Sequence, residues 1–360
     1  MEQLFVDENI AVAKTLPTLF YTDPNYFEAS KEKIFAQSWQ FVGEKSLVDA
    51  PGKCYPVSLL PNYLNEPLLL TCDKNKQVHC LSNVCTHRGN LVITEACNAA
   101  HLRCKYHGRL FDLDGTFRAM PEFKEVQNFP TKDDNLHSLP LFHLGPLLFT
   151  SLNNQLSAHL FFNDMMQRMA WLPLNDFIFR PELSKEYQVK AHWALYCENY
   201  LEGFHIPFVH ADLNAVIDYG NYTTELFPYS NLQVGVAKDG EDCFDLPPSS
   251  PDYGKNIAAY YFWVFPNLMF NFYPWGLSLN IVQPVSMAET KVCFYAFVWD
   301  ESKRKKGAGA ELDKVELEDE EVVQQVQQGI RSRFYNGGRY SVTREQGTHH
   351  FHQLIAAFRT

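Results

Sequence analysis

The sequence predicts an α+β protein: a small all-β domain, then a larger domain in which helices flank a central antiparallel sheet. Three observations carry that expectation. Between Gln40 and Leu148 short runs of strand character alternate with turns, Ala259 to Pro274 and Leu277 to Trp299 alternate apolar and polar residues over long spans, and from Lys314 to Arg333 the apolar spacing turns helical. A chain of 360 residues can hold about two domains with cores of their own. The expected divisions are 1–39, a helical segment packing on the larger domain, 40–148, the all-β domain, and 149–360, the larger domain.

In chain order, Asp23-Pro24 marks a turn, and Tyr26, Phe27, Ile34, Phe35 and Trp39 give Asn25 to Trp39 an amphipathic helical pattern. Lys53 to Val57, Pro67 to Cys72 and Gln77 to Ser82 read as strands, with Asp73 to Lys76 as a polar turn. Gly108 to Asp112 and Thr116 to Arg118 form a hairpin across Asp114-Gly115. Ser157 to Pro181 reads as helix and connector, and Tyr187 to Trp193 as a strand. The two long alternating spans are expected to be antiparallel strands covered on one face. Lys303 to Gly307 is a charged, solvated loop.

Two stretches supply metal donors. Cys85-Thr86-His87-Arg88-Gly89 and Cys104-Lys105-Tyr106-His107-Gly108 each offer one thiolate and one imidazole. This order suits a [2Fe-2S] cluster of the Rieske type, with both Cys on one iron and both His on the other. Zinc is the competing reading, although zinc sites usually pair Cys with Cys and His with His at short spacing. The second stretch runs from Cys197 to His210, where His205 and His210 can give two ligands of a 2-His-1-carboxylate iron site with positions open for dioxygen. On an ideal helix His210 stands about 140° from His205, so a regular helix would not aim both at one ion. Pro207 is the expected place for a bend. For the carboxylate, Glu318-Asp319-Glu320-Glu321 offers four choices. With Val322, Val323, Val326 and Ile330 as the apolar face, only Asp319 points into the core, and the three Glu are expected to be solvated.

These motifs occur in the order found in the catalytic α subunits of Rieske non-haem iron oxygenases, the ring-hydroxylating oxygenase family, and the chain resembles that family over nearly its whole length. The likeness includes Trp39 to Gly43, Asn83 to Gly89, Cys104 to Gly108, Leu113 to Gly115, Glu198 to His210 and Val326 to Ile330. It implies an enzyme that uses dioxygen and electrons to oxygenate a small organic substrate at a mononuclear Fe(II), by mono- or dioxygenation. It selects Asp319 again, as an acid seven residues before V-Q-x-G. It gives Glu202 the role of linking the metal centres, hydrogen-bonded to His107 across a subunit boundary and orienting His205, and it makes Asn199 a support of the site. It also implies a homotrimer with electrons crossing between neighbours. Asn90 and Tyr106 stand where respiratory Rieske proteins carry a disulfide-forming Cys in each loop, which is the oxygenase pattern. Arg109 departs from the family's usual Trp and is expected to add charge near the cluster mouth.

Ring hydroxylation is the leading substrate expectation, from its frequency in the family. The alternative is mono-oxygenation of a quaternary or methylated amine, because Glu202 matches the Glu of choline- and carnitine-type members, and because aromatic cages hold trimethylammonium groups. The aromatic run from Tyr260 to Trp275 could line such a pocket, yet strands alternate faces, so roughly two thirds or more of those rings should pack the sheet core. A Rieske electron-transfer protein is the non-enzyme alternative, and it leaves the second donor set unexplained.

Composition bounds the rest. A net charge of −11 argues against nucleic-acid binding. No G-x-G-x-x-G is present for a nicotinamide or flavin, so electrons from NAD(P)H are expected through a separate flavin-dependent reductase, directly or by way of a ferredoxin. Nine Cys in so long a chain point to a reducing compartment, with Cys54, Cys72, Cys80, Cys97, Cys197, Cys243 and Cys293 as buried free thiols. The start at Met1 to Glu8 is no signal peptide and no stretch is apolar enough to span a membrane, so the expectation is a cytoplasmic protein.

Overall fold

The computed structural model describes residues 3–358 except 154 and 311. Met1, Glu2, Asn154, Glu311, Arg359 and Thr360, which fall in the expected segments 1–39 and 149–360, lie outside the described residues. The chain divides into two compact units, Trp39–Gln155 and a second formed by Met1–Ser38 with Leu156–Thr360. The α+β expectation holds: the first unit is β-rich and the second combines a large sheet with helices.

The first unit contains strands β1 (Gln40–Glu44), β2 (Lys53–Leu59), β3 (Glu66–Cys72), β4 (Val78–Ser82), β5 (Cys97–Asn98), β6 (Leu102–Arg103), β7 (Leu110–Phe111), β8 (Phe117–Ala119), β9 (Ser138–Leu139), β10 (Leu141–Leu144) and β11 (Leu147–Thr150). They pair antiparallel into three small sheets, ordered β5-β2-β3-β4-β9, β6-β7-β8 and β1-β11-β10. The turn between β3 and β4 closes because Asp73 Oδ1 accepts from the N–H groups of Asn75 and Gln77, at 2.8 and 2.9 Å. Cys54, Leu69, Leu81, Leu102, Phe111 and Leu136 form a buried core that also takes in Cys85 and Cys104. Burial anchors the two donor loops at their Cys ends. Two of the expected buried thiols differ, since Cys97 is exposed on the two-residue strand β5 and Cys243 is only partly buried.

The second unit holds helices α1 (Leu19–Thr22), α2 (Pro24–Ser30), α3 (Ala158–Arg168), α4 (Trp193–Tyr200), α5 (Ile206–Val209), α6 (Ala211–Val216), α7 (Leu312–Gly329) and α8 (Gln346–Phe358). Its strands are β12 (Ile178–Phe179), β13 (Lys185–Val189), β14 (Thr223–Phe227), β15 (Ser230–Val236), β16 (Ile257–Val264), β17 (Leu268–Tyr273), β18 (Gly276–Ser286) and β19 (Glu289–Val298), in an eight-stranded antiparallel sheet ordered β12-β19-β18-β17-β16-β15-β14 with β13 also on β19. One-face coverage is corrected here: every residue of β16 and β17 is buried. Helices cover both faces. Phe162 of α3 meets Phe270 edge-on, while Trp263, which projects from the opposite face, meets Phe351 of α8.

Two local readings also change. The alternation from Tyr187 stops at Val189, and Trp193 instead opens α4, with His192 as its N-cap accepting from the Ala194 N–H at 3.2 Å. The expected helix Asn25 to Trp39 is α2 followed by one π-helical turn, Lys31–Phe35, before β1. The N-terminal segment is tied to α4 by the Tyr21 hydroxyl, which donates to Glu198 Oε1 at 2.6 Å. No helix among the described residues is long and apolar enough to cross a membrane.

Candidate metal centres and the cavity beside them

In the first unit the two donor loops repeat one geometry. Gly89 N–H donates to the Cys85 carbonyl and Gly108 N–H to the Cys104 carbonyl, each at 3.0 Å, and both Gly are left-handed, at φ +71° and +76°. Each loop thus turns back on its Cys and brings its His close to the other's, with the His87 and His107 rings 4.7 Å apart. The donors pair like with like. Among the described residues these four do not gather within 4.8 Å as the ligands of one ion would, so the arrangement suits a two-iron cluster better than a single zinc.

His107 Nδ1 is buried without a hydrogen-bond partner among the described residues, a nitrogen lone pair left for a metal. Asn90, in the place of the respiratory Cys, donates from Nδ2 to Cys104 Sγ at 3.6 Å. Its amide therefore reaches a sulfur where the other proteins have a disulfide. Arg109 is 2% exposed, its guanidinium lies 4.9 Å from the Phe117 ring centre, and it donates to Asp134 Oδ1 at 2.6 Å, so its charge is buried and paired, yet it still acts on Cys85 and His87.

In the second unit α4, α5 and α7 converge on His205, His210 and Asp319. His205 Nε2 lies 3.1 Å from His210 Nε2, and Asp319 Oδ1 lies 3.0 Å from His210 Nε2 and 3.5 Å from His205 Nε2. The bend that aims both His is at His210, whose φ of −108° and ψ of 79° separate α5 from α6. Pro207 does not make it: Pro207 stands in the first turn of α5, where no intrahelical N–H is needed. Each Nδ1 faces a carboxylate, His205 on Glu202 Oε1 at 2.7 Å and His210 on Glu318 Oε2 at 2.8 Å. Those carboxylates accept hydrogen bonds from the ring Nδ1–H groups and so turn both Nε2 lone pairs toward Asp319. Three acceptors at this spacing call for a cation between them. Burial works against charge on His210, yet Asp319 and Glu318 outweigh it and raise its pKa, so the site draws positive charge.

Asn199 Nδ2 donates to Asp319 Oδ1 at 2.8 Å. Glu202 Oε2 accepts from the backbone N–H groups of Phe204 and His205, which pins the turn ahead of α5.

The acidic run on α7 differs from expectation. Glu318 is not solvated, because it holds His210, and Glu320 is partly buried; only Glu321 is exposed. The helix buries Glu316, Val323 and Gln327, with Ile330 buried just past its end, while Val326 is 44% exposed. The true face is displaced from the one drawn through apolar residues, because Glu316 and Gln327 are polar and yet buried. Gln327 Oε1 accepts from the His192 N–H at 2.8 Å, while its Nε2 is buried without a partner among the described residues. Glu316 accepts from the Tyr196 hydroxyl at 2.5 Å, and burial pushes its carboxyl up to about 8. An acid three residues before Asp319, on the same helical face, was the available signal for it.

Beside the triad lies a cavity walled by Tyr196, Tyr200, Tyr222, Tyr261, Tyr273 and Phe294. Of the aromatic run Tyr260 to Trp275, only Tyr261 and Tyr273 reach it; Tyr260, Phe262, Trp263, Phe265, Phe270 and Phe272 pack elsewhere in the core. Among the described residues the cavity is lined by three carboxylates, Glu202, Glu316 and Asp319, and by no Lys or Arg.

Residues 38–130 match the family model for the Rieske [2Fe-2S] domain, and residues 179–359 match that for the ring hydroxylating alpha subunit catalytic domain. The chloroplastic choline monooxygenase of Arabidopsis thaliana is 29% identical over 372 residues, covering 95% of this chain and 82% of that protein. The carnitine monooxygenase oxygenase subunit of Escherichia coli (strain K12) is 27% identical over 361 residues, covering 96% and 93%. Among solved structures, the quaternary ammonium Rieske monooxygenase CntA with L-carnitine superposes with a TM-score of 0.77 at 22% identity, over 100% of both chains. Naphthalene 1,2-dioxygenase from Rhodococcus sp. bound to indole gives 0.70 at 16% identity, over 96% of this chain and 93% of that one. At these identities the structural likeness establishes the fold.

Proposed function

Because the chain belongs to the ring hydroxylating alpha subunit family and carries a Rieske [2Fe-2S] domain ahead of the catalytic domain, a Rieske non-haem iron oxygenase, we propose that it mono-oxygenates a small quaternary or methylated amine. The observation that carries this reading is the cavity beside His205, His210 and Asp319. Five tyrosines wall it, and among the described residues its only charged groups besides the His pair are carboxylates, which suits a cation enclosed by ring faces. Ring hydroxylation led the sequence-based expectation; relatives named for choline and carnitine now put the amine first.

Cys85, His87, Cys104 and His107 would hold the cluster, and His205, His210 and Asp319 the mononuclear iron. When bound, the cluster supplies single electrons, and the iron supplies open coordination positions at which dioxygen is activated. Around them the chain's own residues fix geometry and charge. Glu202 and Glu318 hold the ring protons of His205 and His210 and so keep each Nε2 turned inward. Asn199 orients the Asp319 carboxylate through Oδ1. The tyrosine walls exclude water and position the substrate.

Electrons come from NAD(P)H through a separate flavin-dependent reductase, with or without a ferredoxin. The chain works as a homotrimer in which Glu202 meets His107 of a neighbouring copy, and its free cysteines support a reducing compartment such as the cytoplasm.

The test is a single turnover with both metal sites loaded and reduced, exposed to oxygen with a trimethylammonium panel or an arene panel, products read by mass. Oxygen delivered to a carbon beside nitrogen, seen as formaldehyde or a demethylated or cleaved amine, is the expected result. A cis-diol or phenol, with the amines untouched, would refute the amine reading.

A further inference from the structure

Helix α7 places a second carboxylate in the cavity one turn before Asp319. Glu316 is 4% exposed and lines the same cavity as His205, His210 and Asp319. Its Oε2 accepts from Tyr196, but its Oε1 is buried and meets no hydrogen-bond donor among the described residues. The other two carboxylates of the cavity have work already: Glu202 faces His205 and Asp319 faces the His pair. With no Lys or Arg among the described residues of the lining, Glu316 alone has no opposite charge to answer it.

A buried carboxylate with an unmet oxygen is costly, which is why burial pushes Glu316 up to about 8 and keeps its proton near neutral pH until a cation meets it. A cationic ligand favours the ionised form and removes the cost. A quaternary nitrogen meets the carboxylate with its charge and polarised N-methyl C–H groups, and it needs no acceptor in return. Residues three apart on a helix have Cβ atoms about 5–6 Å apart, so a nitrogen held at Glu316 carries its methyl groups toward the donors grouped at Asp319.

We infer that Glu316 is the residue that selects positive charge in the substrate, its carboxylate oriented by Tyr196 and turned to the cationic nitrogen while the tyrosine rings enclose the methyl groups. The inference rests on the amine reading above. It adds the residue that makes the distinction: without Glu316 the pocket keeps its shape and loses its preference for charge over shape.

The experiment compares two ligands on the metal-loaded holoenzyme: a trimethylammonium compound from the single-turnover panel and its tert-butyl analogue, in which an uncharged carbon replaces nitrogen. Glu316→Gln keeps the size and an acceptor for Tyr196 and removes the charge. Its KM for the cation should rise about tenfold to a hundredfold with kcat little changed, as expected for loss of a charged partner, while binding of the uncharged analogue is unchanged or tighter. If Glu316→Gln does not fold, Glu316→Asp, which keeps the charge but draws it back, should weaken the cation alone. Equal weakening of both ligands, or an unaltered preference in either variant, would mean that Glu316 is structural and would overturn the inference while leaving the amine reading intact. If the wild-type enzyme itself prefers the uncharged analogue, the amine reading fails and Glu316 with it.

Discussion

The side chains around His205, His210 and Asp319 divide by what they touch, and iron retention separates them. Asp319 turns Oδ1 toward the Nε2 of His210, whereas Asn199 and Glu318 reach the site through that oxygen and through His210 Nδ1. Asp319→Ala should lose the mononuclear iron alone, with the absorbance of the [2Fe-2S] cluster unchanged. Asn199→Ala and Glu318→Gln should keep iron but bind it about 10–100-fold more weakly, the usual effect of removing a group that orients a ligand. Iron analysis after dialysis against a graded chelator reads all three, and Asp319→Ala with full iron content would return the chain to an electron-transfer role. That His205, His210 and Asp319 gather was legible in the sequence, because chemistry limits which residues can be proposed as metal donors. Glu316 and Glu318 were missed, because polar residues that are buried or half-buried leave no mark in an apolar pattern and only the spacing of Glu316 from Asp319 marks it, while Val326, which does fit that pattern, points outward.

At the level of elements, the site depends on how closely α8 approaches the end of α4. Gly347, in the first turn of α8, sits where an added Cβ would come within 2.3 Å of the Leu201 carbonyl oxygen. That carbonyl is backbone and immediately precedes Glu202, so relief of the clash must move the stretch that positions His205. Gly347→Ala should cost more than about 2 kcal/mol in stability, in the range for overpacking against a fixed partner, and should also weaken iron binding. Gly329, in the last turn of α7, meets nothing within 4 Å of an added Cβ. Gly329→Ala should be neutral or stabilising by up to about 1 kcal/mol. Denaturant midpoints of the two variants, with their iron content, make the comparison, and equal effects would show that the packing of α8 does not reach the site. The hairpins, the long strands and α7 were visible from spacing, because local turn chemistry and periodicity set them. The two-sided burial of β16 and β17 was not, because Asn271 of β17, like Gln233 of the neighbouring β15, looks solvent-facing until Tyr200 packs over it: the Tyr200 hydroxyl donates to Asn271 Oδ1 at 2.9 Å, and its carbonyl accepts from Gln233 Nε2 at 2.6 Å. Trp193 likewise reads as the end of a strand until the His192 cap starts a helix there.

At the scale of the assembly, one question decides how the enzyme works: whether electrons pass within a chain or between chains. Phe208 is 80% exposed and Phe204, its edge-on neighbour, 40% exposed, and both flank His205 just beyond Glu202. Two exposed rings next to the acid assigned to link the centres fit a surface covered by another copy, since large exposed rings cluster where proteins meet. If electrons cross between neighbours in a closed ring, two different inactive chains should rescue one another. Cys85→Ser removes the cluster and keeps the mononuclear site, whereas Asp319→Ala does the reverse, and each variant alone is inactive. Co-expressed and randomly mixed, about one interface in four of a ring with head-to-tail contacts joins an intact cluster to an intact iron site, so activity per chain should return to about a quarter of wild type. Transfer within a single chain allows no such rescue, because no chain in the mixture has both centres. Adding Glu202→Gln to the Asp319→Ala chain, whose iron site is already lost, should leave the rescue intact, whereas adding it to the Cys85→Ser chain, whose His205 must receive the electron, should remove it. That asymmetry assigns Glu202 to the receiving side of the interface, and its absence would place the electron path elsewhere.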